Sequence, residues 1–207
     1  MKKHKYIISV IVILAILIVD QLIKINVKTS MYLGERYFIT DWFQLVFVEN
    51  NGMAFGWDFG AKTLLTTFRI LAVGVIAWFI IKEIHSGAKS GYVICLSMIL
   101  AGAAGNIIDC LFYGMVFNDP SAPFIAEYMG WGNGYSHILT GKVVDMFYFP
   151  LIEWDMPNWM PLYRGEHCVF FSPIFNFADA AISCGVIMLL LFYSKSLNHG
   201  FKSCGNQ

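Results

Sequence analysis

Charge is scarce in this chain. Of its 207 residues only 14% are charged, against 57% hydrophobic, and the mean hydropathy is +0.61. That balance excludes an ordinary soluble domain and puts the chain in the membrane class. Fourteen basic and fourteen acidic residues cancel, so no net field recommends nucleic acid or another polyanion as a partner. Cysteine is thin too, with five in all and no Cys-x-x-Cys spacing. Cys95, Cys110 and Cys184 lie in or at the end of apolar runs, where cysteine acts as a small hydrophobe. Cys168 and Cys204 sit in polar surroundings, and neither a disulfide framework nor a zinc site is indicated. A helical His-x-x-x-His pair is absent as well, which disfavours zinc built from His137 and His167. Both histidines read as surface residues, and no Ser/His or Cys/His arrangement competes for a catalytic role. Internal repeats and low-complexity segments are missing. No small-x-small cleavage site follows the first apolar run, so that run reads as a retained helix rather than a signal peptide.

Long apolar runs are what the chain does have. Four spans are expected, at about 5–25, 63–82, 92–112 and 174–194, each close to the 20 or so residues that cross a bilayer. Two long connections, 26–62 and 113–173, separate them. In the first, Trp42-Phe43-Gln44-Leu45-Val46-Phe47-Val48 is aromatic and β-branched, with Gly52 and Gly56 beyond it, which predicts short strands and turns. The second holds Trp131, Trp154 and Trp159 among prolines and glycines, a composition that suits a membrane–water interface. The expected fold is thus an all-α membrane protein with four transmembrane helices, a small extracytoplasmic β-sheet and a long extracytoplasmic loop, all one domain. Arg69, inside the second span, is read as snorkelling to the nearer interface. Gly102-Ala103-Ala104-Gly105 should let a neighbouring helix approach closely.

Lysine placement gives the orientation. Lys2, Lys3 and Lys5, then Lys82 and Lys89, then Lys195 and Lys202 mark one side. The long connections are poorer in basic residues, with Lys28 and Arg36 in the first and Lys142 and Arg164 in the second. The positive-inside rule then places both termini in the cytoplasm and both long connections outside.

On that topology the odd polar residues converge. Asp20 falls at the outer end of span one, Asn106 and Asp109 at the outer end of span three, and Asn176 and Asp179 at the outer end of span four. Asn50 and Gly52 lie in the first outer connection and Asp145 in the second. An ionisable residue in a membrane-length segment is expensive and points to function. Phe175-Asn176-Phe177-Ala178-Asp179-Ala180-Ala181-Ile182 is the most pointed case, with Val143-Val144-Asp145-Met146 as its partner. Two close aspartates cannot both ionise cheaply, so one keeps a proton while the other stays charged. The charged one takes a proton from water and the protonated one polarises an amide carbonyl, the arrangement of aspartic proteases, a standard case of pKa tuning. Blander readings apply to several of these residues. Asp109 suits a helix-end structural role, Asn106 and Asn176 suit hydrogen-bonding support, and Asp20 with Lys24 suits a local i,i+4 ion pair. A proton-relay or transport protein is the alternative class, with a non-catalytic scaffold third. Transport acids usually mark a path through the bilayer, whereas these share one level.

Five motifs in order carry a resemblance. They are Asp20-Gln21-x-x-Lys24, Asn50-Asn51-Gly52-Met53-Ala54-Phe55-Gly56, Gly105-Asn106-x-x-Asp109, Val143-Val144-Asp145 and Phe175-Asn176-x-Ala178-Asp179. Together they resemble the lipoprotein signal peptidase (signal peptidase II) family over nearly the whole chain. The resemblance implies Asp145 and Asp179 as catalytic, with Asp20, Lys24, Asn50, Gly52, Asn106, Asp109 and Asn176 supporting the site or the bound substrate. It implies a diacylglyceryl-modified prolipoprotein as substrate in the bacterial inner membrane, membrane lipid as surroundings, a monomer, and no metal or organic cofactor. Two departures stand out. The family's arginine after the Asn-x-x-Asp aspartate is Cys110 here, so a substrate contact implied there is missing or supplied from elsewhere, with Arg164 as candidate. Gly114-Met115-Val116-Phe117-Asn118 is an early echo of Gly141-Lys142-Val143-Val144-Asp145, and the version ending in aspartate is preferred because asparagine cannot share a proton as a carboxylate does.

Overall fold

The computed structural model describes residues 2–52, 59–157, 159 and 165–196. The motif residues Met53-Ala54-Phe55-Gly56, the candidate Arg164, and Lys202 and Cys204 lie outside these.

Three helices are long and apolar enough to cross a bilayer: α1 (Lys2–Ser30), α2 (Phe59–His85) and α3 (Ser90–Ile108). The last of these continues through a π-helical turn, Asp109–Tyr113, into a short α4 (Gly114–Val116). The α5 helix (Phe177–Phe192) is equally apolar but has 16 residues. α1, α2 and the continuous run from α3 through α4 extend past the hydropathy boundaries, while α5 falls inside them. α1 extends past residue 25 because Lys24 and Lys28, which end the apolar run, are fully buried by partners rather than turned to water. The outward faces carry Ile7, Ile11, Leu14 and Ile18 on α1 and Leu64, Phe68, Leu71 and Val75 on α2, all exposed. Apolar side chains displayed along the length of helices are at home in lipid. The protein is a multi-pass membrane protein.

α3 lies at the centre, against α1, α2 and α5. Small residues make its contact with α5 possible. A Cβ added at Gly102 would stand 2.3 Å from the Ala178 carbonyl oxygen, so backbone meets backbone there as the Gly102–Gly105 stretch suggested. At the opposite end Lys5 Nζ donates to the carbonyls of Gly87 and Ala88, and Tyr6 Oη meets His85 Nδ1 at 3.1 Å. The start of α1 and the α2–α3 turn therefore share one end of the bundle.

Beyond the other end lies an antiparallel sheet of β1 (Arg36–Thr40), β2 (Phe43–Asn50), β3 (Val143–Tyr148) and β6 (Ile174–Phe175), in that spatial order. Strands in the 42–48 stretch were expected. The long second connection is not a plain loop, however. It supplies β3 and β6, and a separate hairpin of β4 (Ile152–Asp155) and β5 (His167–Phe170). Phe47, Val144 and Met146 from the sheet pack with Val27, Tyr113 and Phe117 in one apolar cluster, which fixes the sheet to the ends of α1 and α3.

Candidate active site

β3 delivers Asp145. Its neighbours Val144 and Met146 are fully buried, and Asp145 itself is 3% exposed, so it is a buried strand residue and not the loop aspartate its sequence position suggested. Asp145 stands opposite Val48 of β2. Asn50, two residues further along β2, donates from Nδ2 to Asp145 Oδ2 at 3.2 Å. The Asn50 side-chain oxygen Oδ1 accepts from the Gly52 backbone N–H at 2.7 Å, with Gly52 in the left-handed region at φ +69°.

Asp179 sits in the first turn of α5 for a local reason. Asn176 is the N-cap, its side-chain oxygen accepting from the Asp179 N–H at 2.9 Å, while Asp179 Oδ2 accepts from the Asn176 N–H at 3.3 Å. This reciprocal capping box satisfies two of the donors that a helix start leaves unmatched.

The two carboxylates are joined through Asn176. Its Nδ2 donates to Asp145 Oδ1 at 2.7 Å and to Asn106 Oδ1 at 3.0 Å. Asn106 donates in turn to Asp179 Oδ1 at 2.8 Å. Burial pushes the Asp145 carboxyl up to about 6, and the neighbouring negative charge of Asp179 adds to the shift. Hydrogen bonds from Asn50 and Asn176 and the charge of Lys24 offset part of it.

A second layer lies beneath. Lys24 Nζ reaches Asp20 Oδ2 at 3.0 Å, Asp109 Oδ2 at 2.8 Å and Asn106 Oδ1 at 2.9 Å. It is far more than an i,i+4 pair, since it ties α1 to α3 and anchors the amide that holds Asp179. Asp20 Oδ1 accepts from the Ala178 N–H at 2.9 Å, adding a partner at the start of α5. Asp109 accepts from the Val144 N–H at 3.3 Å, so it steadies the strand next to Asp145. All nine residues singled out from the sequence gather at this end of the molecule. Gly52 alone among them contributes no side chain.

Two residues escaped notice. Gln21 donates to Asp109 Oδ1 at 2.9 Å and Asp20 Oδ2 at 3.1 Å, and Tyr113 donates to Gln21 Oε1 at 3.1 Å. Gln21 sits inside the first motif, beside Asp20, which was its only signal; Tyr113 gave none. His137 and His167 are exposed, and no cluster of metal-ligating side chains occurs among the described residues. Asn118, at the end of the early echo, accepts from the Glu127 N–H instead of entering the site.

An acid pair of unequal surroundings, cross-linked by amides and mounted where membrane helices meet a small sheet, is the arrangement of a membrane-embedded aspartic-type peptidase. Comparison with known proteins makes the class specific. The family model described as signal peptidase (SPase) II matches residues 12–195, and the chain belongs to that family. A lipoprotein signal peptidase of Porphyromonas gingivalis is 47% identical over 187 residues, covering 90% of this chain and 82% of that protein. One from Amoebophilus asiaticus is 39% identical over 183 residues, covering 84% and 72%. A bacterial membrane enzyme solved by the in meso method at 1.9 Å resolution shares the fold, with a TM-score of 0.59 at 23% identity over 88% of this chain and 90% of that one.

Proposed function

We propose that this protein removes the signal peptide from bacterial prolipoproteins, cutting just before a cysteine that already carries a diacylglyceryl group. Membership of the signal peptidase II family and the names of its relatives support the reaction. One observation carries the chemistry: Asn176 bonds to both Asp145 and Asp179, so the carboxyls are held as a unit.

Asp145 and Asp179 are the catalytic pair. The raised Asp145 carboxyl keeps the shared proton, and Asp179 is its proton-accepting partner. Asp179 takes a proton from water as the water oxygen attacks the scissile carbonyl carbon. Asp145 gives its proton to the carbonyl oxygen. Collapse of the tetrahedral intermediate returns that proton to Asp145 and breaks the C–N bond, with the proton on Asp179 passing to the leaving amine. Asp20, Lys24, Asn50, Gly52, Asn106, Asp109 and Asn176 hold this geometry or the bound peptide.

The wider setting follows the same logic. α5, though 16 residues long, is about 24 Å of apolar helix, and it serves as the fourth span. Both termini face the cytoplasm, the sheet and site face outward, and the chain works as one peptidase domain in monomeric form. A lipidated substrate stays in the bilayer, so the carboxylates must come to the membrane face. An apolar groove of about 390 Å³ between the outer end of α1 and the sheet, lined by Leu22, Ile23, Val27, Phe43, Leu45 and Phe147, suits lipid chains.

The test is cleavage of a diacylglyceryl-modified prolipoprotein by the purified protein beside Asp145→Asn and Asp179→Asn, with and without a chelator. Chelator-resistant cleavage lost in both variants is expected. Cleavage that survives in either variant would remove that aspartate from the pair, and no cleavage by folded wild-type protein would sink the reading.

A further inference from the structure

α2 faces lipid along most of its length, yet one stripe near its outer end is polar. Lys62, Thr66 and Arg69 stand at i, i+4 and i+7, on one face of the helix. That face turns toward the site. Lys62 Nζ donates to Asn51 Oδ1 at 3.1 Å, and Thr66, 1% exposed, donates to the Leu139 carbonyl at 2.9 Å. The Arg69 guanidinium lies against Gly52, where an added Cβ would stand 2.8 Å from Nη2, and Nη1 contacts Cys110 Sγ at 3.7 Å.

Snorkelling accounts for an arginine whose side chain runs toward the membrane surface. It does not account for the direction around the helix. Arg69 is ten residues into α2, about 15 Å along its axis, and a headgroup seeking only water has the whole lipid-facing circumference to leave by. The guanidinium ends instead between two pieces of the site. Gly52 follows the Asn50 that bonds to Asp145, and Cys110 follows the Asp109 that bonds to the strand carrying Asp145. Among the described residues Arg69 makes no ion pair with a carboxylate, and its planar fork of five N–H donors stands against Gly52 and the Cys110 sulfur.

We propose that Arg69 is a substrate-binding residue, its guanidinium donating to backbone carbonyls of the peptide that crosses the Asn50–Gly52 segment. Peptide carbonyls are the fitting ligands. They are neutral acceptors, and an extended peptide presents them in a row that a planar fork can grip without neutralising the charge that Asp179 must keep. Gly52 gives the guanidinium room, and the small thiol at position 110 leaves space for it beside Asp109. This rests on the peptidase reading above.

The experiment uses the full-length protein and a synthetic diacylglyceryl-modified lipobox peptide, with kcat and KM measured separately. Wild type is compared with Arg69→Lys, Arg69→Gln and the double variant Arg69→Gln/Cys110→Arg. Loss of a charge-assisted hydrogen bond predicts a fall in kcat/KM of about 10- to 100-fold for Arg69→Gln, with a smaller fall for Arg69→Lys. Placing the guanidinium on the neighbouring position should recover at least part of that loss in the double variant. A structural role predicts otherwise: no recovery, and a drop in Tm that accounts for the lost activity. Unchanged kcat/KM in Arg69→Gln, or a loss that arginine at position 110 fails to relieve, overturns the proposal. Inactive wild type would instead overturn the peptidase reading and this inference with it.

Discussion

Asn176 donates its side-chain amide to Asp145 at 2.7 Å while the other end of the same side chain caps the helix that carries Asp179. A single asparagine therefore sets both the rotation of one carboxyl and the start of the element that presents the other. Replacing it removes both functions together.

Asn176→Ala is expected to lower stability by about 1 kcal/mol through the lost cap. Activity should fall far more, by about a hundredfold, because misplacement of roughly 1 Å at reacting groups has that effect. Thermal unfolding in detergent and kcat measured on the same preparations separate the two. Equal proportional losses would mean that Asn176 only caps.

Asp145 predicts a pH dependence of stability. Its carboxyl is raised from 3.8 to about 6, first by burial and then by the charge of Asp179. The folded protein thus holds a proton between about pH 4 and 6 that the unfolded chain has released. That contribution is fully present below pH 4 and is lost as pH rises through 6, by at most about 3 kcal/mol. Asp145→Asn cannot titrate. Its Tm relative to wild type should rise between pH 4.5 and pH 7.5, and a constant difference across that range would contradict the raised carboxyl.

Lys24 links α1 to α3 through Asp20, Asp109 and Asn106, and it is fully buried. Lys24→Met would leave two buried carboxylates facing each other, a loss of about 3–5 kcal/mol. Adding Asp109→Asn to that variant removes one of them and should restore part of the Tm. A further decline on adding it would show that the lysine is not the partner that neutralises Asp109.

Three long apolar helices were legible because a mostly apolar run needs no tertiary knowledge to recognise, and the acids stood out against it. The level at which Asp20, Asn106, Asp109, Asn176 and Asp179 meet followed from topology alone. What failed was anything joined by long-range contact. Lys24 looked like a partner of Asp20 four residues away, since nothing local announces an Asn106 that is 82 residues distant. Lys28 looked like an outer-loop cation, but it is buried against Glu49 and stacks over Phe47, Phe117 and Tyr135. Asp145 looked like a loop residue because β3 is defined by pairing with β2, about 95 residues earlier in the chain for the Asn50 contact. Arg69 shows the same limit, as hydropathy tells that a charge lies in a span but not which side of the helix it leaves from.

Gly52 offers a way to couple the loop to that arginine. Its φ of +69° makes any side chain there unfavourable by about 1–2 kcal/mol, and an alanine Cβ would stand 2.8 Å from Arg69 Nη2. The end of an arginine is flexible, so the clash is relieved by moving the guanidinium and not by unfolding the protein. Gly52→Ala should therefore keep most of the Tm while reducing kcat/KM by about tenfold, the lower range for a lost charge-assisted contact. Made in an Arg69→Gln background, the same substitution has no guanidinium left to displace, and its effect on kcat/KM should shrink toward that of backbone strain alone. A double-mutant cycle measures the difference. Additive losses would mean that Gly52 serves the substrate directly, through the close approach its missing side chain allows, and that its contact with Arg69 is incidental.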